Sequence, residues 1–179
     1  YSANMPREHL TYMLLAQGGV IMLIFLWGGQ WALAGVVAQG ISVLLAGPVL
    51  SLYRGKVGFG RIWTLNPVLA TLVLGGLPLT VGFVGAFTLY SGFLQAGTWV
   101  LVLPIVIVIQ ALLMAGGFWL TNFPGPVVPT QVPFANAGYQ LGLTLPVAAG
   151  VLAGIAPDRL GAIVGVAGLP GWAGMLTPN

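Results

Sequence analysis

Leu74-Gly75-Gly76-Leu77-Pro78-Leu79-Thr80-Val81-Gly82-Phe83-Val84-Gly85-Ala86-Phe87 lies inside residues 62–157, a run without a single Asp, Glu, Lys, Arg or His. About 20 apolar residues suffice for one helical crossing of a bilayer, so a run of this length crosses several times. In hydrocarbon every backbone N–H and C=O must find a partner inside the protein. Pro78 breaks that rule locally. It removes one ladder hydrogen bond, and its ring collides with the carbonyl four residues back, so the helix containing it is expected to be kinked or broken at Gly76–Pro78. The freed groups must face the interior of the bundle, and Thr80 is the nearest hydroxyl that can satisfy one.

The rest of the chain agrees with a membrane setting. Of its residues 58% are hydrophobic and 4% charged, with a mean hydropathy of +1.02. A soluble domain carries roughly a quarter charged residues, so a soluble enzyme is excluded. The charges are Arg7, Glu8, Arg54, Lys56, Arg61, Asp158 and Arg159, in three short clusters. The net charge of +3 reads as a topology signal and implies no nucleic-acid partner. The chain has no cysteine, which removes disulfides and thiolate metal sites together. No signal peptide is expected, because no basic stretch leads into an apolar segment with a small-residue cleavage site.

The expected architecture is all-α: one polytopic transmembrane bundle of about five helices, over about 10–27, 31–53, 68–94, 98–120 and 137–156. The apolar tail at 160–175 is crowded with Gly and Pro and is disfavoured as a sixth crossing. The residues between helices 4 and 5 include Pro124, Pro126, Pro129 and Pro133, a connector expected to be extended. By the positive-inside bias the basic loop at 54–61, with Arg54, Lys56 and Arg61, lies on the cytoplasmic or equivalent side. Trp27, Trp31, Trp63, Trp99 and Trp119 fall at expected helix ends, where they read as interfacial anchors.

Few residues can carry chemistry. His9 is the only histidine and stands beside Glu8 at a helix entry. It reads first as an interfacial anchor, with a proton-entry group as the functional alternative. No second ligand follows at a chelating spacing, so no metal site is expected. Deep in the helices the polar groups are amides: Gln17, Gln39 and Gln110. They suit hydrogen bonding between helices better than proton exchange, although they remain proton-path candidates. The small-residue spacings Gly138 to Gly142 and Gly150 to Gly154 favour close packing. No nucleophile, base and orienter can be assembled.

The quoted segment resembles the broken pump helix of the antiporter-like membrane subunits found in respiratory complex I, membrane-bound hydrogenases and Mrp-type antiporters. Their pattern is a Gly-Leu-Pro-Pro/Leu-Thr-x-Gly-Phe run followed by a lysine or glutamate and an aromatic. Upstream, Arg7, Leu10, Thr11, Tyr12 and Gln17-Gly18 are similar to the family's Arg-x-Leu-Ala-Tyr-Ser-Ser stretch, and Leu143 to Leu160 resembles the closing helix. The likeness is nearest to the N-type subunit of complex I, and this chain would hold only its last five helices. One departure matters: where the family places its ionisable pump residue, this sequence has Ala86. The resemblance therefore implies the fold and argues against proton transfer at that position.

These readings favour a truncated or degenerate antiporter-like subunit with a mainly structural role in a multisubunit electron-transfer and proton-translocating complex. It would sit in an energy-transducing membrane, among other integral membrane subunits and lipid. One alternative is an active translocating subunit completed by partner chains. Another is an unrelated helical subunit of a photosynthetic or respiratory complex. No cofactor is expected in this chain itself, and any quinone or pigment would belong to the complex. Residues 121–136 carry no charge, although a loop facing water is normally polar. The chain is therefore expected to be stable only among partners. Purified alone in mild detergent it should aggregate, and a monodisperse, folded chain on size-exclusion chromatography would refute this.

Overall fold

The computed structural model describes residues 5–53, 65–97, 104–112, 115–116 and 137–159. The basic loop at 54–61, the proline-rich connector, the tail at 160–175 and Trp63, Trp99 and Trp119 lie outside the described residues. Of Glu8 and His9 the backbone alone is described. The helices are α1 (Met5–Trp27), α2 (Ala32–Tyr53), α3 (Leu65–Leu74) and α4 (Val81–Ala96). They are followed by α5 (104–112) and α6 (Ala137–Ile155). A 3-10 turn at Gly29–Trp31 joins α1 to α2. No strand occurs among the described residues, and the chain is an all-α bundle of transmembrane character.

Stretches Leu10–Trp27 of α1 and Ala32–Leu52 of α2 are long and apolar enough to cross a membrane. Helices α3 and α4, with 10 and 16 residues, rise only about 15 and 24 Å against a core of about 30 Å. Together they supply one interrupted crossing, with its gap at 75–80. Pro48 and Pro146 also lie inside helices, yet α2 and α6 run through them. The difference is Gly75-Gly76. Gly76 takes φ +71°, a left-handed turn that glycine enters without a Cβ penalty, and the chain can leave the helix there. Helix α4 stops at Gly97, also left-handed at φ +70°, whose N–H reaches the Leu94 carbonyl at 3.3 Å.

Helix α2 is the centre of the bundle and touches α1, α3, α4 and α6. Its buried positions Gly35, Ala38, Gln39, Ser42, Ala46 and Val49 recur at helical spacing and are mostly small. Against them α4 places Gly85, Ala86, Leu89, Gly92 and Phe93, all buried. Gly92 meets the Trp27–Gly28 backbone and Gly85 meets Gly35 and Gln39, so α2 and α4 run antiparallel in near backbone contact. Small residues at a crossing allow this approach, and it raises van der Waals contact where lipid supplies no hydrophobic drive. The Trp27 and Phe93 rings, 5.7 Å apart and tilted, close one end of the crossing.

The two small-residue pairs of α6 have different roles. Gly150 packs on Val73, whose side chain would lie 3.0 Å from an added Cβ, and Gly154 packs on the Thr80 backbone. Gly142, by contrast, has nothing within 4 Å of that position. Gly154→Ala should therefore push α6 off the break and lower stability by about 1–3 kcal/mol, the usual cost of overpacking. Gly142→Ala should be neutral within this chain. Thermal unfolding midpoints of the two variants in native membranes check the contrast.

Candidate functional site: a helix break held by buried amides

The site is built from the last carbonyls of α3, each of which needs a donor. Thr71 C=O accepts from Gly75 N–H at 2.8 Å, Leu72 C=O from Leu77 N–H at 3.0 Å and Val73 C=O from Gly76 N–H at 3.4 Å. The last two bonds, with Gly76 left-handed between them, form a Schellman ending. That pattern leaves Leu74 C=O without a local donor. Gln17 of α1 supplies one: its Nε2 donates to Leu74 C=O at 2.8 Å.

Beyond the glycines comes a tight turn. Thr80 N–H donates to Leu77 C=O at 3.1 Å, and the Thr80 hydroxyl donates to the same oxygen at 2.7 Å. Pro78 is the first central residue and Leu79, at φ +70°, the second, as in a type II turn. Glycine is the usual residue at that second position. A leucine there carries about 1–2 kcal/mol of local strain, which the surrounding bonds must hold in place. Helix α4 then begins, with Phe83 N–H on Thr80 C=O at 3.0 Å.

The amide orientations follow from the Leu74 carbonyl. A carbonyl only accepts, so Gln17 presents its NH2 and is left with Oε1 free. Gln39 Nε2 of α2 donates to that Gln17 Oε1. Gln39 in turn is left with its Oε1 turned toward Gly85, where an added Cβ would lie 2.6 Å away. Gln17 and Gln39 are both 0% exposed, so neither amide is reached by bulk solvent. On the far side of the break Gln110 is buried on α5, and Tyr90 of α4 donates its hydroxyl to Gln110 Oε1. Gln110 Nε2 stands 3.4 Å from the Cβ position of Gly76. In 104–112 only Val106 and Gln110, one turn apart, are buried, so the amide is half of the anchor of α5.

Of the residues picked out by sequence, Gln17 and Gln39 are brought together at the break, and Gln110 approaches it from the other side. Gly75, Gly76, Pro78 and Thr80 form the break itself. The side chains of Glu8 and His9 lie outside what is described. Ala86 is fully buried and turns a methyl group to the interior. Sequence reasoning missed Tyr90, the Leu74 carbonyl and the strained Leu79. The Gln17 to Leu74 bond joins residues 57 positions apart and leaves no local signal. Leu79 runs against turn preference and was hidden by its own side chain.

The arrangement supplies hydrogen bonds, and the amides at the break do not exchange protons at accessible pH. Gln17→Leu would leave Leu74 C=O and Gln39 Nε2 without partners inside the bundle, at about 1–3 kcal/mol for each. It should lower the thermal midpoint more than Ser51→Ala, which removes only an exposed bond to Pro48 C=O. Equal midpoints would contradict this account.

Among curated proteins the chain is similar to NADH-quinone oxidoreductase subunit N of Geobacter metallireducens, 31% identical over 106 residues, which cover 51% of this chain and 23% of that protein. It is also similar to NADH-quinone oxidoreductase subunit N of Saccharopolyspora erythraea, 27% identical over 179 residues, covering 85% of this chain and 34% of the relative. The chain thus spans about a quarter to a third of the length of these relatives. No family model matches it, and no solved structure does.

Proposed function

We propose that the chain is a membrane subunit of an NADH-quinone oxidoreductase-type complex, that it corresponds to the closing helices of the antiporter-like N-type subunit, and that its role there is structural. The likeness to two subunit N proteins supports the family, and the interrupted α3–α4 crossing with its glycine exit supports the same placement. The observation that carries the structural role is the chemistry around Ala86. That residue is 0% exposed, enclosed by the chain's own helices, and residues 62–157 contain no group that titrates near neutral pH. A partner's lysine or glutamate has no open path to the position.

An uncompensated charge at mid-membrane costs at least about 2.5 kcal/mol, so a proton crossing this bundle would need titratable groups or a water wire. The described helices instead offer amides and hydroxyls tied into packing. Glycine-lined crossings, neutral surfaces and amide bonds between helices are what a sealing and scaffolding subunit requires. Its partners are other integral membrane subunits and lipid, and any quinone or pigment belongs to the complex rather than to this chain.

Membranes from Gln39→Leu, Gln110→Leu and Ala86→Lys variants test the reading when subunit content and proton uptake are measured together. The two Leu variants should lower assembly while leaving proton uptake per assembled complex within about twofold of the parent. Ala86→Lys should reduce subunit content by burying an unpaired charge. Normal assembly with uptake abolished by either Leu variant would overturn the structural role and favour an active translocating subunit.

A further inference from the structure

The turn at the break leaves one peptide unit unserved. Its own hydrogen bond joins Thr80 N–H to Leu77 C=O, so the central peptide, Pro78 C=O and Leu79 N–H, takes no part in it. Among the described residues neither of these two atoms has a hydrogen-bond partner elsewhere. Protein closes on the residues either side: Gly154 of α6 packs on the Thr80 backbone, and Gln110 Nε2 of α5 stands 3.4 Å from the Cβ position of Gly76. Pro78 and Leu79 themselves are left exposed.

Depth makes this opening costly. Gln17 lies near the middle of Leu10–Trp27, a stretch long and apolar enough to cross a membrane, and it donates to Leu74 C=O just before the turn. The turn therefore sits near the middle of the bilayer. Lipid offers only hydrocarbon there, and irregular backbone at that depth is found buried in protein or lining water, not facing lipid. A second observation is Leu79 itself. It holds φ +70°, where glycine would carry no Cβ penalty, yet its side chain is 58% exposed and gains little packing within this chain. A strained residue that its own bundle does not bury points to a contact made outside it.

We propose that the Pro78–Leu79 turn is the docking point for a transmembrane helix of a partner subunit. The Leu79 side chain packs on that helix, and a neutral polar side chain of the helix, an amide or a hydroxyl, bonds to the Pro78–Leu79 peptide. Amides and hydroxyls both donate and accept, so one such group can serve either end of the peptide. A lysine or arginine fits less well, because residues 62–157 hold no carboxylate to offset its burial. The inference needs only the membrane setting, goes beyond the role proposed above and holds whether the subunit is structural or translocating.

Photocrosslinking in membranes that hold the assembled complex tests it, with benzoylphenylalanine in place of Leu79. Ultraviolet light should join this chain to a membrane helix of another subunit, at a point within one turn of an Asn, Gln, Ser, Thr or Tyr when the adduct is mapped by mass spectrometry. Replacing that partner residue by an apolar one of similar size should lower the amount of this chain retained in the complex by about fivefold or more, the equilibrium effect of leaving one buried peptide unpaired. Adducts confined to this chain, to a second copy of it or to lipid would overturn the proposal, as would no adduct at all. So would an adduct on a stretch without such a residue, or a polar-to-apolar exchange that leaves retention unchanged. If the variant at Leu79 fails to accumulate, the same probe in place of the exposed Pro78 is read by the same outcomes.

Discussion

An interrupted helix in hydrocarbon must return every freed backbone group to a partner, and the structure is organised around that constraint. At the end of α3 the Schellman ending serves Leu72 and Val73, and the Leu77-Pro78-Leu79-Thr80 turn serves Leu77 twice. Leu74 C=O is the group that local geometry leaves over. Its donor comes from α1, 57 residues earlier in the chain. The break therefore depends on the bundle as well as the reverse, because Gln17 reaches Leu74 only when α1, α2 and α3 are packed together.

Close packing makes that reach available. The α2–α4 crossing brings backbones together at Gly35, Gly85 and Gly92, and α6 rests Gly154 on the Thr80 backbone beside the break. Each glycine stands where a side chain would meet another segment's backbone or a polar side chain. Shape does here what hydrophobic burial does in water, since apolar side chains gain little by leaving lipid for protein. Large apolar side chains of α1, α5 and α6, such as Phe25, Ile105 and Leu152, are exposed on the outside of the bundle.

Neutrality of the interior separates this chain from what its resemblance implies. The interrupted crossing is present, and Ala86, which stands where the family it resembles carries an ionisable residue, is buried. Amides at Gln17, Gln39 and Gln110 fix helices relative to the break without exchanging protons. The broken helix serves as a joint at which α1, α2, α5 and α6 meet, and the strain at Leu79 is carried by the bonds on both sides of it.

Much was legible in the sequence, for a simple physical reason. An uncharged run at 62–157 admits few structures in a membrane, and Pro78 after Gly75-Gly76 marks where a helix cannot continue. Helical class, the place of the break and the Thr80 hydroxyl bond follow from local covalent geometry and the absence of water, whereas the expected inward orientation holds for Gly75 and Thr80 and not for Pro78 and Leu79, which are exposed. Pro48 and Pro146 look alike to a reader of sequence, but only Pro78 follows two glycines, and the helices continue through the others. Tertiary structure alone decided which amide serves which carbonyl. Gln17, Gln39 and Gln110 are equivalent as residue types, and nothing in their neighbours says that one caps α3, one orients the first and the third accepts a hydrogen bond from Tyr90. It likewise decided that Gly150 and Gly154 face inward while Gly142 faces out. Those assignments depend on helix rotation and crossing angle, set by the sum of many weak contacts between distant segments, and no local stretch of sequence contains that sum.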